Sequence, residues 1–144
     1  MQNSLEESRR LFAAGSSDDA AETSLEGLNR SAKESGKGQL QIATNLLRVA
    51  FACKESNDEK TAQRVAKRAL AHLDKAEHEL QGDDKALAGI NKIRGVIFER
   101  LLGTTDEAAQ SYREALKHQP GDESAKAKLR QVGGDADQGA IDTK

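Results

Sequence analysis

Apolar residues recur along much of the chain at the spacing of one face of a helix. Two such faces are formed by Ile42, Leu46, Val49, Ala50 and Cys53, and by Ile90, Ile93, Ile97 and Leu101. Their spacing of three and four residues is that of amphipathic helices. Between them, Ala62, Ala66 and Ala69 form a stripe of small residues, which lets a neighbouring helix approach closely. The pattern predicts an all-α fold in which helices pack in pairs.

About seven helices are predicted, separated by residues that stop a helix. Breaks are expected at Gly36-Lys37-Gly38, at residues 82–84 and at Pro120-Gly121, because glycine ends helices and proline cannot continue one. The predicted helices cover residues 3–14, 17–34, 39–55, 58–80, 84–102, 105–118 and 122–132. Residues 133–144 lack a period and large apolar groups, so they are predicted to form a disordered tail.

Three segments of the chain share the signals of a turn between two helices. They are residues 13–28, 55–70 and 101–116, in which a polar turn with small and acidic residues precedes alanines. Gly15 and Gly103 are expected in the left-handed conformation that ends a helix. Each segment is therefore predicted to be a helix–turn–helix.

Side-chain caps are expected where the following helices begin. Ser17, Asn57 or Thr104 is predicted to accept a hydrogen bond from the first turn of the next helix. Thr104 and Glu107 also have the spacing of a capping box. Asp122 follows the Pro-Gly break and is expected to cap the last helix.

These segments resemble tetratricopeptide repeats, whose pattern is large–x2–large–small–x2–large, eight residues, then Ala–x3–aromatic–x2–Ala–x4–Pro. The spacing is matched by Leu46-x2-Val49-Ala50-x2-Cys53-x8-Ala62-x3-Ala66-x2-Ala69, although Cys53 and Ala66 replace large residues. The second half is matched by Ala108-x3-Tyr112-x2-Ala115-x4-Pro120, and Gly15 with Ala20 resembles the turn of a first copy. The resemblance covers residues 3 to 132.

The resemblance implies a right-handed α-solenoid of about three long-helix repeats. The repeats are expected near residues 3–35, 39–80 and 84–118, with a capping helix at 122–132, so that residues 1–132 form one domain. The copies lie 42 residues apart from Ala20 to Ala62 and 46 apart from Ala62 to Ala108, whereas the usual repeat has about 34. In the third copy the isoleucine stripe indicates a shift of about two residues in the first helix.

In such a solenoid the first helix of each repeat lines a concave surface that binds extended partners. The residues predicted to line it are Leu47, Arg48, Phe51, Lys54, Asn91, Lys92 and Phe98. A groove that is apolar with basic groups suits a peptide or protein partner with acidic or carboxylate groups. The alternative is that Leu47 and Phe51 pack against the neighbouring repeat.

Composition makes other classes of partner less favourable. The net charge is −2, aromatic residues are 3% of the chain, and no block of basic residues occurs at either end. These features argue against a nucleic-acid partner. The polar start is not a signal peptide and no apolar run is long enough for a membrane span, so a cytoplasmic location is expected and a membrane partner is not.

No residues with the spacing of a catalytic or metal site stand out. Cys53 is expected to be a small buried apolar residue, and His72, His78 and His118 are expected to have surface roles. We therefore expect no cofactor, no metal and no enzymatic activity. The predicted function is that of an interaction module, an adaptor or chaperone-like holder.

The alternative function is self-assembly through the terminal repeat faces. The N-terminal helix carries Leu5, Leu11 and Phe12 as candidate contacts, whereas the last predicted helix has the polar character of a cap. The chain is accordingly expected to be a monomer or a weak homodimer.

Overall fold

The computed structural model describes Arg10 and residues 35–133, and every regular element in this part of the chain is helical. The helices are α1 (Gly36–Glu55), α2 (Glu59–Glu79), α3 (Asp84–Val96), α4 (Thr105–His118) and α5 (Glu123–Gln131), and a π-helical turn, Ile97–Leu101, extends α3. The predicted all-α class is thus confirmed, with five helices in the described part. The helices predicted at 3–14 and 17–34 lie outside the described residues apart from Arg10, as does the predicted tail apart from Gly133.

The chain divides into two compact units between Glu79 and Leu80. In the first unit α1 packs along α2, and in the second α4 packs against α3, the π-helical turn and α5. The connections from α1 to α2 and from α3 to α4 are short, so each pair forms a helical hairpin.

The core of the first hairpin contains the positions that the periodicity predicts. The whole predicted face of α1 is buried, including Cys53, and Ala62, Ala66 and Ala69 of α2 are fully buried. The small side chains of α2 therefore lie inside the unit, as predicted, and Cys53 is a small buried apolar residue.

α1 begins earlier than predicted, because Gly36-Lys37-Gly38 is its first turn rather than a break. Ser35 is the N-cap, and its hydroxyl accepts a hydrogen bond from the Gly38 N–H at 2.9 Å. Both glycines are buried. The prediction of a break is wrong here because a side-chain cap and close packing outweigh the low helix propensity of glycine.

Asn57 ends α1 and does not cap α2, contrary to one of the predictions. Its φ is 63°, in the left-handed region. The N–H of Asn57 donates to the Lys54 carbonyl at 3.0 Å and that of Asp58 to the Cys53 carbonyl at 2.9 Å, which is the Schellman arrangement. The cap of α2 is Asp58, whose carboxylate accepts from the Thr61 N–H at 3.1 Å. Hydrogen bonds from Thr61, and more weakly the charge of Arg64, lower the pKa of Asp58.

The hydrogen-bonded turn of the second hairpin contains one residue more than that of the first. Gly103 has the predicted left-handed φ, 69°. Here the Leu102 N–H donates to the Ile97 carbonyl five residues back and the Thr104 N–H to the Phe98 carbonyl six residues back. Thr104 occupies the N-cap position without a side-chain cap, because its hydroxyl is directed to the Phe98 carbonyl at 3.4 Å. The predicted capping role of Thr104 is therefore wrong.

Tyr112 fills the centre of the second unit, where its ring lies directly on Gly95. A Cβ on Gly95 would lie 2.2 Å from Cε1 of Tyr112. Ile90, Ile97 and Leu101 are buried and Ile93 is half-buried, so the isoleucine stripe is largely confirmed. From Gly95 to Ala108 is 13 residues, against 12 from Ala50 to Ala62. With Gly95 taken as the equivalent of Ala50, the shift in this helix is one residue, which the π-helical turn accommodates.

Candidate functional site

Four of the predicted site residues lie close together on α1. Leu47, Phe51 and Lys54 are half-buried and Arg48 is exposed, on the side of α1 away from its fully buried face. Leu40 and Thr44, also half-buried, continue the same side toward the start of the helix. We refer to Leu40, Thr44, Leu47 and Phe51 as the α1 stripe; at the rise of an α-helix it is about 16 Å long.

The α1 stripe is apolar in character and its surroundings are basic. Thr44 directs its hydroxyl to the Leu40 carbonyl at 2.9 Å, which leaves its methyl group as the part that extends the apolar surface. The charged residues of α1 are Lys37, Arg48 and Lys54, with a single acid, Glu55, at the last position. An apolar strip with basic neighbours is suited to a segment that carries both apolar and acidic side chains.

Asn91 is not on a surface, because the structure places it inside the second unit at 3% exposure. Its Nδ2 donates to the Leu87 carbonyl one turn earlier, at 3.0 Å. Its Oδ1 accepts from Nη1 of Arg94 at 3.2 Å. The side chain thus satisfies its own buried polar groups within α3.

Lys92 joins α3 to the beginning of α5. Its Nζ lies 2.7 Å from Oδ2 of Asp122, and Asp122 caps α5 as predicted, accepting from the Ala125 N–H at 3.1 Å. The hydrogen bond from Lys92 is the main cause that lowers the pKa of Asp122. Lys92 is therefore held by an ion pair within the unit.

Phe98 packs against the core of the second unit. That core cluster consists of Ala108, Ala109, Tyr112 and Leu129. Phe98 is half-buried at its border, in the π-helical turn. Of the seven residues predicted to line a groove, the structure brings together those of α1, while Asn91, Lys92 and Phe98 have partners within the second unit.

The histidines differ more than predicted. His78 is exposed, but His72 is only 7% exposed, so its predicted surface role is wrong. Nδ1 of His72 donates to Oε1 of Gln39 at 2.6 Å, linking α2 to α1. In the second unit Nδ1 of His118 donates to Oδ1 of Asp84 at 3.0 Å, linking α4 to α3. Both are contacts between helices, which helical periodicity alone does not reveal.

The polar features of the described residues also include one buried hydroxyl group. The hydroxyl of Tyr112 donates to Glu99 at 2.9 Å, and burial together with this hydrogen bond raises the pKa of Tyr112. Within the described residues no three His, Cys, Asp or Glu side chains are placed to hold a metal ion. No helix in the same part of the chain has the length and apolar character to cross a membrane.

An open hollow of about 380 Å³ lies between the start of α4 and the end of α5. It is lined mainly by polar groups, with Thr105, Asp106, Gln110 and Arg113 opposite Val132. None of the predicted site residues belongs to it, so it does not extend the α1 stripe.

Comparison of the chain with protein-family models, with curated proteins and with solved structures gave no match. The candidate site therefore stands on the geometry of α1 and on the chemistry of its side chains. The predicted self-assembly contacts Leu5, Leu11 and Phe12 lie outside the described residues.

Proposed function

We propose that this chain is a non-catalytic protein-interaction module, similar in architecture to tetratricopeptide repeats, that binds a peptide or a segment of a partner protein along the α1 stripe. The observation that carries the proposal is the juxtaposition of half-buried Leu47 and Phe51 with exposed Arg48 on one side of a helix. The opposite side of that helix is buried in the core, so the stripe is a second, separate surface of α1.

The two classes of side chain have different roles in this proposal. Leu47 and Phe51 bury apolar surface of the partner and supply most of the affinity. Arg48 and Lys54 attract and orient an acidic segment, which affects the association rate more than the affinity. The partner segment therefore combines at least one apolar anchor with neighbouring carboxylates.

The proposed repeat architecture is supported by the two helical hairpins, which have alanines at matching positions of their second helices. A solenoid with a right-handed superhelix follows from the resemblance and belongs to the proposal. A structure of the full chain with a bound peptide is the measurement that decides it.

Selection from a random peptide library displayed on phage, with the full chain immobilised, tests the binding function. We expect enriched peptides with apolar and acidic residues, and calorimetry should show that Phe51→Ala weakens their binding by about 1–3 kcal/mol. Arg48→Glu should mainly slow association and reduce its dependence on ionic strength.

Two variants in the second unit serve as matched controls. Leu116→Ala removes a half-buried leucine that borders the core cluster, and Arg130→Glu reverses an exposed charge on α5. Peptide binding should be unchanged in both, with folding checked by circular dichroism. If the controls weaken binding as much as the α1 variants, the α1 stripe is not the site.

A further inference from the structure

The solvent-facing side of α2 carries a row of basic residues. Five of them, at spacings that place them on one face, are Lys60, Arg64, Lys67, Arg68 and Lys75. Lys60, Lys67 and Lys75 are exposed, and the two arginines are half-buried and also interact within the chain. The helix contains no acidic residue from 60 to 73, and one acid, Asp74, lies exposed on the same face next to Lys75. We call these five residues the α2 basic row.

The second unit forms the same kind of helical hairpin without a basic row on its second helix. Taking Ala62 and Ala108 as equivalent, the matching positions of α4 lie 46 residues later. On that helix they are Asp106, Gln110, Arg113 and Glu114, a mixture of both signs. In α4, Glu114 also pairs with Lys117 at 3.3 Å. The same side of an equivalent helix is therefore balanced in one unit and basic in the other.

The row also opposes the stability of its own helix. Lys60, Arg64 and Arg68 follow one another at intervals of four residues, and like charges at this spacing destabilise a helix. α5 again provides the contrast, because Lys126 has Glu123 three residues earlier, 3.7 Å away. The exposed lysines of this face, Lys60, Lys67 and Lys75, outnumber its acid, Asp74, so the face is suited to a ligand of opposite charge.

The rest of α2 decides which class of polyanion fits. The helix has no aromatic residue for stacking on bases. Val65 and Leu73 face the core, and so do the buried alanines of α2. These apolar side chains are therefore not available for insertion into a lipid bilayer. What the surface offers is point charges alone, along about 22 Å of helix.

We infer that the α2 basic row is a docking surface for an acidic segment of a partner protein. An extended segment of about seven residues spans the row, and carboxylates on alternate residues meet successive lysines and arginines. The row lies on α2 and the α1 stripe on α1, so this contact is separate from the peptide binding proposed above. Such a contact is electrostatic and weakens as salt is added.

Fluorescence anisotropy with a labelled peptide of about eight consecutive glutamates tests the inference on the full chain. The charge-reversed variant carries Lys60→Glu, Lys67→Glu and Lys75→Glu together. We expect the wild-type chain to bind the peptide at low salt, and this variant to bind about tenfold more weakly or not at all. A polyglutamine peptide of equal length should not bind.

A variant with the same change in net charge separates the row from the overall charge. Lys117→Glu, Lys126→Glu and Lys128→Glu, all in the second unit, should change the affinity less than threefold, about the effect expected of a general field in screened solvent. Equal weakening in both triple variants would overturn the inference, as would a wild-type chain that does not bind the glutamate peptide at all.

The same assay with other polyanions decides the class of partner. Oligouridine of the same charge, and phosphatidylcholine vesicles containing phosphatidylserine, should bind more weakly than the peptide. Tighter binding of either one, lost in the α2 variant, would replace the acidic protein segment by a nucleic acid or a membrane surface. Circular dichroism of each variant shows whether a loss of binding reflects a loss of folding.

Discussion

The two helical hairpins of this protein fill equivalent core positions with different side chains. In the first, the positions are occupied by Ala50 and Ala66, both fully buried. In the second, 45 and 46 residues later, they are occupied by Gly95 and Tyr112, with the tyrosine ring against the glycine. The second hairpin removes a methyl group from one helix and adds a phenol on the other. The comparison shows that the two hairpins fill corresponding positions with different total volumes, and that the missing side chain of the glycine leaves space against which the tyrosine ring packs.

In the second hairpin, the helix on which Tyr112 packs is irregular. The π-helical turn Ile97–Leu101 follows Gly95 within one turn and adds a residue before Gly103. The same turn carries Glu99, which accepts the hydrogen bond of the Tyr112 hydroxyl at 2.9 Å. The turn thus provides the partner that a buried hydroxyl requires, whereas the matching position of the first hairpin, Ala66, has no hydroxyl to satisfy.

The pair Gly95 and Tyr112 offers the most disruptive test of this comparison. Tyr112→Ala should destabilise the protein by about 3–5 kcal/mol by leaving a cavity. Gly95→Ala should cost about 1–3 kcal/mol, because the new methyl group conflicts with a ring that cannot move away. Urea denaturation followed by circular dichroism measures both changes in the free energy of unfolding.

The double variant Gly95→Ala, Tyr112→Ala recreates the alanine pair of the first hairpin. We expect Gly95→Ala to cost less than about 0.5 kcal/mol when the tyrosine is already absent, a strong departure from additivity. Additive costs would show that the two residues do not share one packing site and would remove the basis of the comparison.

The two histidine contacts provide a test of intermediate size. His72 with Gln39, and His118 with Asp84, join equivalent ends of the two hairpins, but only His72 is buried. His72→Ala should cost about 1–2 kcal/mol by removing a buried hydrogen bond. His118→Ala should cost less than about 1 kcal/mol, because solvent screens an exposed pair.

Thermal unfolding of both histidine variants checks the difference, with exposed His78→Ala as the control that should change nothing. A larger loss in His118→Ala than in His72→Ala would mean that burial does not set the strength of these contacts.

Substitutions at Asn57, which follows α1, and at Gly103, which follows the π-helical turn, should have the smallest effects on the free energy of unfolding. Asn57 and Gly103 both have positive φ, 63° and 69°. No atom lies within 4 Å of a Cβ placed on Gly103, so Gly103→Ala should cost only the backbone strain of about 1 kcal/mol. Gly103→Asn should cost a few tenths of a kcal/mol, since asparagine tolerates this conformation, and Asn57→Gly should be close to neutral.

The midpoint of urea denaturation resolves these three substitutions if they are measured side by side. Equal costs for Gly103→Ala and Gly103→Asn would indicate that the turn depends on space around the residue and not on its φ.

The sequence by itself was sufficient for the features that are encoded within a few neighbouring residues. The alanine stripe of α2, the buried face of α1, the left-handed Gly103 and the Asp122 cap were all predicted correctly. Each depends on helical periodicity or on a local hydrogen bond, so the information lies within one or two turns of the chain.

Features that depend on a distant partner were not predictable in the same way. The burial of His72 and the ion pair of Lys92 each require a second residue that spacing does not identify. For the candidate site, the residues on α1 could be grouped by periodicity. The three on and after α3 could not, because the π-helical turn changes the register there by one residue.

Tertiary structure alone therefore decided the interior of the second unit. A helical pattern specifies which side of α3 is apolar, but it does not specify that a tyrosine 17 residues after Gly95 lies on that glycine. That choice follows from close packing between two helices, in which a side chain is accommodated by the space that its partner leaves open. Such complementarity is a property of pairs of residues, and it exists only once the helices are in contact.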